Sequence, residues 1–277
     1  MIYYKSKKAF GYFWSLEIFS LQHMSVVINK EFKSKEIELR NYITNFSYSG
    51  KLFGDGQRNK IKLFDLEDKT INIKSFKIPN LINTIAYKYF RKSKAKRSFE
   101  YATILLQKEI GTPQPIAYFE NYNWLGLKDS YYVSEHLITE LTFRELVEIP
   151  AYPDHENILR QFTKFCFDLH EKGIEFLDHS PGNTLIKKVS ENQYAFFLVD
   201  LNRMNFHEVM DFNARMKNLS RLTPKKEMIA VMSDEYAKYY NQPKPLILEK
   251  MWGATTEFQE KFARKKRLKK KLKFWKS

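Results

Sequence analysis

Cysteine is almost absent from this chain: Cys166 stands alone, so no disulfide can form within the chain, and packing must hold the fold. A lone thiol of this kind is expected as a buried spectator and suits a reducing compartment. No apolar run approaches the roughly 18–20 residues that span a bilayer as a helix. The aromatic N-terminus MIYYKSKKAFGYFWSLEIFSLQHM is broken by Glu17 and lacks a small-x-small cleavage site, which argues against a signal peptide. Translation from Met24, with the residues ahead of it an extension or loose arm, is the expectation there. The six histidines include no H-x-x-x-H pair, which excludes the common helical zinc motif, and no G-x-S-x-G elbow marks a serine hydrolase. Internal repeats are absent, as are low-complexity segments before the last residues.

What is present is a globular composition, 43% hydrophobic and 16% aromatic over 277 residues, enough for one large domain or two lobes. The net charge of +15 is uneven. Residues 261–277 carry +10 with no acid, residues 1–24 carry +2, and the body between them only +3. The basic character belongs to the end of the chain.

Hydrophobic patterning divides the body in two. From about 40 to 78, YITNFSYSGKLF, RNKIKLFDL and KTINIKSFK alternate as strands, with turns at Gly54-Asp55-Gly56 and Leu66-Glu67-Asp68. A helix is predicted from Ser93 to Glu109, stopped by Gly111, Pro113 and Pro115, and followed by strands at PIAYFEN and SYYVSEH. Beyond about 140 the pattern turns helical. NILRQFTKFCFDLHEKG sets Ile158, Phe162, Phe165, Cys166 and Leu169 on one face and ends at Gly173. NTLIKKV and YAFFLVD then read as a hairpin joined by Ser190-Glu191-Asn192-Gln193, with two or three helices after it. A β-rich part followed by a helical part makes an α+β protein of two lobes.

Within FLDHSPGNTL, Asp178, His179 and Ser180 are adjacent, but consecutive side chains point apart and cannot form a triad. The hairpin suggests other chemistry. Asn183 opens its first strand and Asp200 closes its second, so an antiparallel pairing brings two oxygen donors to one end. That suits Mg²⁺, a hard ion that takes one or two protein oxygens and leaves its other positions to phosphate and water. Asp178, across a Pro-Gly turn, can face the same spot without being a ligand, which is an arrangement for phosphoryl transfer.

D-x-x-x-x-N, a hairpin and a second Asp resemble the catalytic and metal loops of protein kinase-like folds. In detail, LDHSPGNTLI followed by FFLVDLNRM is similar to the bacterial lipopolysaccharide kinase family (Kdo kinase, WaaP and InaA-like proteins), over about residues 40–235. The resemblance implies a two-lobed protein kinase-like fold, with a β-rich N-lobe carrying one main helix and a mainly helical C-lobe. Its parts would be an extension at 1–36, an N-lobe at 37–137, a C-lobe at 138–258 and a basic tail at 259–277. ATP and Mg²⁺ are the implied cofactors. The implied activity is transfer of phosphate to a sugar hydroxyl of lipopolysaccharide, in Kdo or the inner core, with Asp178 as base or positioner and Asn183 and Asp200 as metal ligands. Ile71-Asn72-Ile73-Lys74 matches the V-A-I-K strand, so Lys74 would hold the α/β-phosphates, fixed by Glu100. Gly54 and Gly56 would form the phosphate loop, although its third glycine is missing, and Glu135 and His136 would lie at the adenine hinge.

Departures from the pattern narrow the reading. Phe176 and Leu177 replace His-Arg before Asp178, Asp200-Leu201-Asn202 replaces D-F-G, no A-P-E follows, and Asn72 stands where a small residue usually lines the adenine pocket. These fit a small-molecule or lipid-sugar kinase better than a protein kinase. A protein Ser/Thr/Tyr kinase and a non-catalytic scaffold remain the alternatives. EKFARKKRLKKKLKFWKS is expected as a helix that docks on an anionic membrane, at the inner face of the bacterial inner membrane, with the protein otherwise cytoplasmic. A solvated or nucleic-acid-binding tail is the competing reading, and nucleic acid is not the partner expected.

Overall fold

Alternating burial builds the first lobe. The computed structural model describes residues 23–54, 59–76 and 91–274. Residues 1–22, Gly56 and the last three residues of the basic tail lie outside the described residues. The strands are β1 (His23–Ile28), β2 (Lys51–Phe53), β3 (Lys60–Leu66), β4 (Lys69–Phe76), β5 (Pro115–Asn123) and β6 (Gly126–Glu135). They form one antiparallel sheet in the order β1-β5-β6-β4-β3-β2. In β4, Ile71 and Ile73 are fully buried on one face, while Asn72 and Lys74 take the other, as period-two alternation requires.

Two readings of the sequence change here. YITNF does not begin a strand: α1 (Glu36–Thr44) covers most of it, burying Leu39 and Ile43 against the Ile71/Ile73 face. Their four-residue spacing fits one helix face, which the alternation of Tyr42, Thr44 and Phe46 obscures. The segment that the sequence assigns to an extension also contains β1, an edge strand whose Val26 and Val27 pair with Phe119 and Tyr118.

The opposite face of the sheet receives α2 (Lys94–Gln107), capped by the Ser93 hydroxyl accepting from the Lys96 amide at 3.0 Å. Its small residues Ala95, Ser98 and Ala102, with Leu105, form the buried stripe. Ala102, Leu105 and Ile110 then join Leu169, Ile174, Phe176, Leu198, Leu201 and Met204 in a core shared by both lobes.

The second lobe comprises β7 (Leu141–Thr142), α3 (Phe143–Glu148), α4 (His155–Glu171), β8 (Ile174–Phe176), β9 (Thr184–Ser190), β10 (Gln193–Leu198), β11 (Met204–Phe206), α5 (Phe212–Leu219), α6 (Lys226–Tyr236) and α7 (Lys244–Phe274). On α4, Ile158, Phe162, Cys166 and Leu169 are fully buried, and Phe165 packs at the edge of the same core. The Cys166 thiol is raised well above its ordinary pKa by burial, so it stays protonated. Gly173 ends α4 at φ +71, and a Cβ there would lie 1.9 Å from the His207 carbonyl oxygen, so only glycine fits the turn into β8. The long α7 is anchored through Ile247, Met251 and Thr255, and its residues from Lys261 to Leu272 are all exposed. No described helix is long and apolar enough to cross a membrane.

The lobes also meet through backbone. Leu198 donates its amide to Gly111 O at 2.8 Å, and the Thr112 hydroxyl donates to Leu198 O at 2.8 Å. A Cβ on Gly111 would lie 2.1 Å from the Phe196 carbonyl oxygen, a contact only backbone movement can relieve. Gly111→Ala should therefore cost about 1–3 kcal/mol and lower the melting temperature by several degrees. An unchanged melting temperature would show that this junction is not tightly packed.

Candidate active site

Two short antiparallel ladders place the chemistry. β8 pairs with β11, Phe176 opposite Met204, and β9 pairs with β10, Thr184 opposite Leu198. Asp178 and Arg203 therefore leave one ladder, while Asn183 and Asp200 leave the other. Asn183 lies in a short 3₁₀ turn opened by Pro181, and its carbonyl accepts from the Val199 amide at 3.0 Å. Asp200 sits at φ +60, a left-handed conformation that Asp tolerates better than most residues.

Between the lobes lies a cleft of about 550 Å³ lined by Lys74, Asn183 and Asp200 among others. Lys74 Nζ lies 2.6 Å from Asp200 Oδ1, with the lysine side chain only 13% exposed. Asn202 Nδ2 also donates to Asp200 Oδ1 at 2.8 Å, and among the described residues Asp200 Oδ2 accepts no hydrogen bond. Asn183 donates its Nδ2 to the Asp178 main-chain carbonyl at 2.8 Å, which fixes the amide and leaves Oδ1 without a partner among the described residues. One carboxylate oxygen and one amide oxygen are thus open beside a cationic side chain. That donor set fits Mg²⁺, which needs few protein oxygens. Among the described residues no cluster of three His, Cys, Asp or Glu exists that would suit a transition metal instead.

Asp178 is outside the cleft lining. Its Oδ1 accepts from Arg203 Nη1 and from Arg221 Nη1, each at 3.1 Å, and Arg221 Nη1 also donates to Leu177 O at 2.7 Å. Oδ2 has no such partner among the described residues. Neither arginine is marked in the sequence, because each reaches Asp178 through tertiary placement, 25 and 43 residues away.

Other expectations meet the structure unevenly. Glu100 does not pair with Lys74: it accepts from Lys92 Nζ at 2.8 Å. The cause is helical phase. Ser98 is the α2 residue that lines the cleft, and Glu100, about 200° further round, points away from it. Gly54 ends β2 at φ +80 in open space and does not line the cleft, where Phe53 stands instead. Glu135 and His136 do line it. Glu135 pairs with Lys69, and its amide donates to Gln114 O at 3.0 Å. The His136 amide donates to Thr70 O at 2.9 Å, and its ring meets Phe53 edge-on at 5.0 Å. Burial lowers the His136 pKa. Both amides are thus engaged, whereas that of Leu137, the next cleft residue, donates to nothing among the described residues.

No family model and no curated protein matches the sequence. Solved structures do. WaaP in complex with acyl carrier protein matches with a TM-score of 0.57 at 15% identity, over 87% of this chain and 98% of that one. The α+β, two-lobed protein kinase-like fold is therefore shown. With 1051 solved chains matching, this likeness identifies an architecture and leaves the substrate to the site.

Two buried histidines lie beneath the Asp178 loop. His179, adjacent to the catalytic-looking aspartate, is fully buried against the rings of Phe162 and Phe176. It is a core residue, not an exposed loop residue. His170 meets Tyr236 OH at 2.9 Å and Asn218 Oδ1 at 3.2 Å, and Asn218 Nδ2 donates to Phe176 O at 2.9 Å. A neutral tautomer with the proton on Nε2 satisfies both His170 contacts. Burial lowers His170 to about 3 and His179 to about 4. Both folded values lie below the ordinary 6.5, so the unfolded chain takes up these protons first. The stability each contributes is complete above pH 6.5 and declines as pH falls towards the folded value, by about 1.4 kcal/mol per pH unit per histidine. Melting temperature should fall between pH 6.5 and 4.5, less steeply in His179→Phe; equal slopes would contradict a neutral, buried His179.

Proposed function

We propose that this chain is an ATP-dependent kinase that phosphorylates a sugar hydroxyl of lipopolysaccharide, in Kdo or the inner core. The observation that carries this reading is the convergence of Lys74, Asn183 and Asp200 on one cleft, with Asp178 tied to Asn183 by a 2.8 Å hydrogen bond. ATP would place its adenine against the Glu135–Leu137 strand end, where the Leu137 amide is open, and its phosphates near Lys74. Mg²⁺ held by Asn183 Oδ1 and Asp200 would neutralise phosphate charge and align the transferred group.

The protein's own contribution is positional. Asn183 joins the metal side to the acceptor side, because the same amide that exposes Oδ1 anchors the Asp178 backbone. The two arginines hold Asp178 Oδ1, so Oδ2 would face the acceptor hydroxyl, orient it and take its proton as the new P–O bond forms and the bond from the γ-phosphorus to the bridging oxygen breaks, releasing ADP. Burial of the Lys74 stem directs its ammonium at the phosphates. Glu100 could brace Lys74 only after α2 rotates, because it now pairs with Lys92 while Lys74 pairs with Asp200.

The exposed end of α7 supports a membrane-proximal site of action at the inner face of the inner membrane. Lys261, Arg264, Lys265, Lys266, Arg267, Lys269, Lys270 and Lys271 all face solvent, with Phe262, Leu268 and Leu272 exposed among them. At about 1 kcal/mol per basic residue near an anionic leaflet, reduced by mutual repulsion, such a helix supplies several kcal/mol of binding. Deleting residues 261–277 should abolish cosedimentation with vesicles rich in anionic phospholipid; undiminished cosedimentation would remove the membrane role.

With labelled ATP and a lipopolysaccharide acceptor, Asp178→Ala should lower phosphate transfer by about 10²-fold or more while Mg·ATP still raises the melting temperature. A fully active Ala variant would refute the assignment of Asp178. Label moving onto protein instead of lipid would redirect the acceptor to Ser, Thr or Tyr.

A further inference from the structure

Asp178 shares one carboxylate oxygen between two guanidinium groups, more positive charge than a base or positioner needs. Arg203 is 56% exposed and gives Asp178 only Nη1, so its Nε and Nη2 donors have no partner among the described residues. Arg221 uses Nη1 on Leu177 O and Asp178, and its Nε is buried with no hydrogen-bond partner. Two cations against one anion leave a net positive charge beside Asp178. The ring of Phe258 on α7 lies 5.6 Å from the Arg221 guanidinium, so this helix packs beside the pair, and its basic stretch begins one turn further on, after Glu257 and Glu260.

We infer that Arg203 and Arg221 form an anion-binding subsite for a carboxylate or phosphate that the acceptor carries beside the hydroxyl being phosphorylated. This rests on the kinase reading above and narrows its substrate to an acidic or already phosphorylated sugar. A hydroxyl bonded to Asp178 Oδ2 lies within about 5–7 Å of both guanidinium groups, given ordinary hydrogen-bond lengths. An anionic substituent two to four bonds away on the same sugar spans that gap. The planar N–H fork of arginine matches two oxygens of such a group. A neutral acceptor would leave these donors uncompensated, so the subsite discriminates by charge as well as by position.

The test uses the full chain and three soluble probes: Kdo monosaccharide, the same sugar with its carboxylate reduced to an alcohol, and a neutral hexose's monophosphate. Calorimetric titration should show the wild type preferring the acid over its reduced form by about tenfold or more. Arg203→Gln should erase that preference, and Arg203→Lys should retain part of it. A structural role alone would weaken acid and alcohol alike. Tighter binding of the hexose monophosphate than of the acid would name phosphate as the anion. Equal or unmeasurable binding of acid and alcohol by the wild type would overturn the subsite, as would an equal loss for both in Arg203→Gln. Transfer of labelled phosphate to lipopolysaccharide, measured in parallel, separates the two claims. A retained acid preference without transfer would count against the kinase reading and leave the subsite standing, whereas transfer without the preference would do the reverse.

Discussion

The 2.8 Å hydrogen bond from Asn183 Nδ2 to the Asp178 carbonyl is the contact on which the site depends. It binds the ends of two independent ladders: β8 with β11, which delivers Asp178 and Arg203, and β9 with β10, which delivers Asn183 and Asp200. Each ladder is short and would be marginal alone. Both rest on the same shared core, where Phe176, Leu198 and Met204 pack with Ala102 and Leu105 of α2. Apolar packing between the lobes thus holds a polar constellation whose members are far apart in the chain.

Charge is arranged by side. On the cleft side, Lys74 and Asp200 neutralise one another across 2.6 Å. Beside Asp178, Arg203 and Arg221 outnumber the carboxylate, and α7 reaches Arg221 through the ring of Phe258. A nucleotide with its metal ion would enter a balanced cleft, and an anionic acceptor would approach a cationic face. The uneven charge of the sequence, concentrated after residue 260, becomes an exposed helix rooted beside that face.

Much of this was legible in the residues. The helix ending at Gly173, the hairpin from Asn183 to Asp200 and the alternation that turns Lys74 towards the cleft all follow from local periodicity, which survives folding because each element buries one face. The stretch around Tyr42 misled, because a helix burying only Leu39 and Ile43 leaves a weak period beside an alternating run of aromatic and polar residues. Glu100 misled for another reason. Its place on α2 was set by motif spacing, whereas the phase of the helix is set by small buried residues, Ala95, Ser98 and Ala102, and these turn Glu100 towards Lys92. The two arginines were invisible, since no local pattern encodes a contact made across 25 or 43 residues.

The proposed kinase activity requires phosphate to reach a lipopolysaccharide sugar. Mass spectrometry of lipopolysaccharide from the source bacterium, with this gene deleted and then restored, tests that most directly. The deletion should remove one phosphate from the inner region, and the intact gene, but not one carrying Asp200→Ala, should return it. Lipopolysaccharide of identical mass in all strains would contradict the central claim.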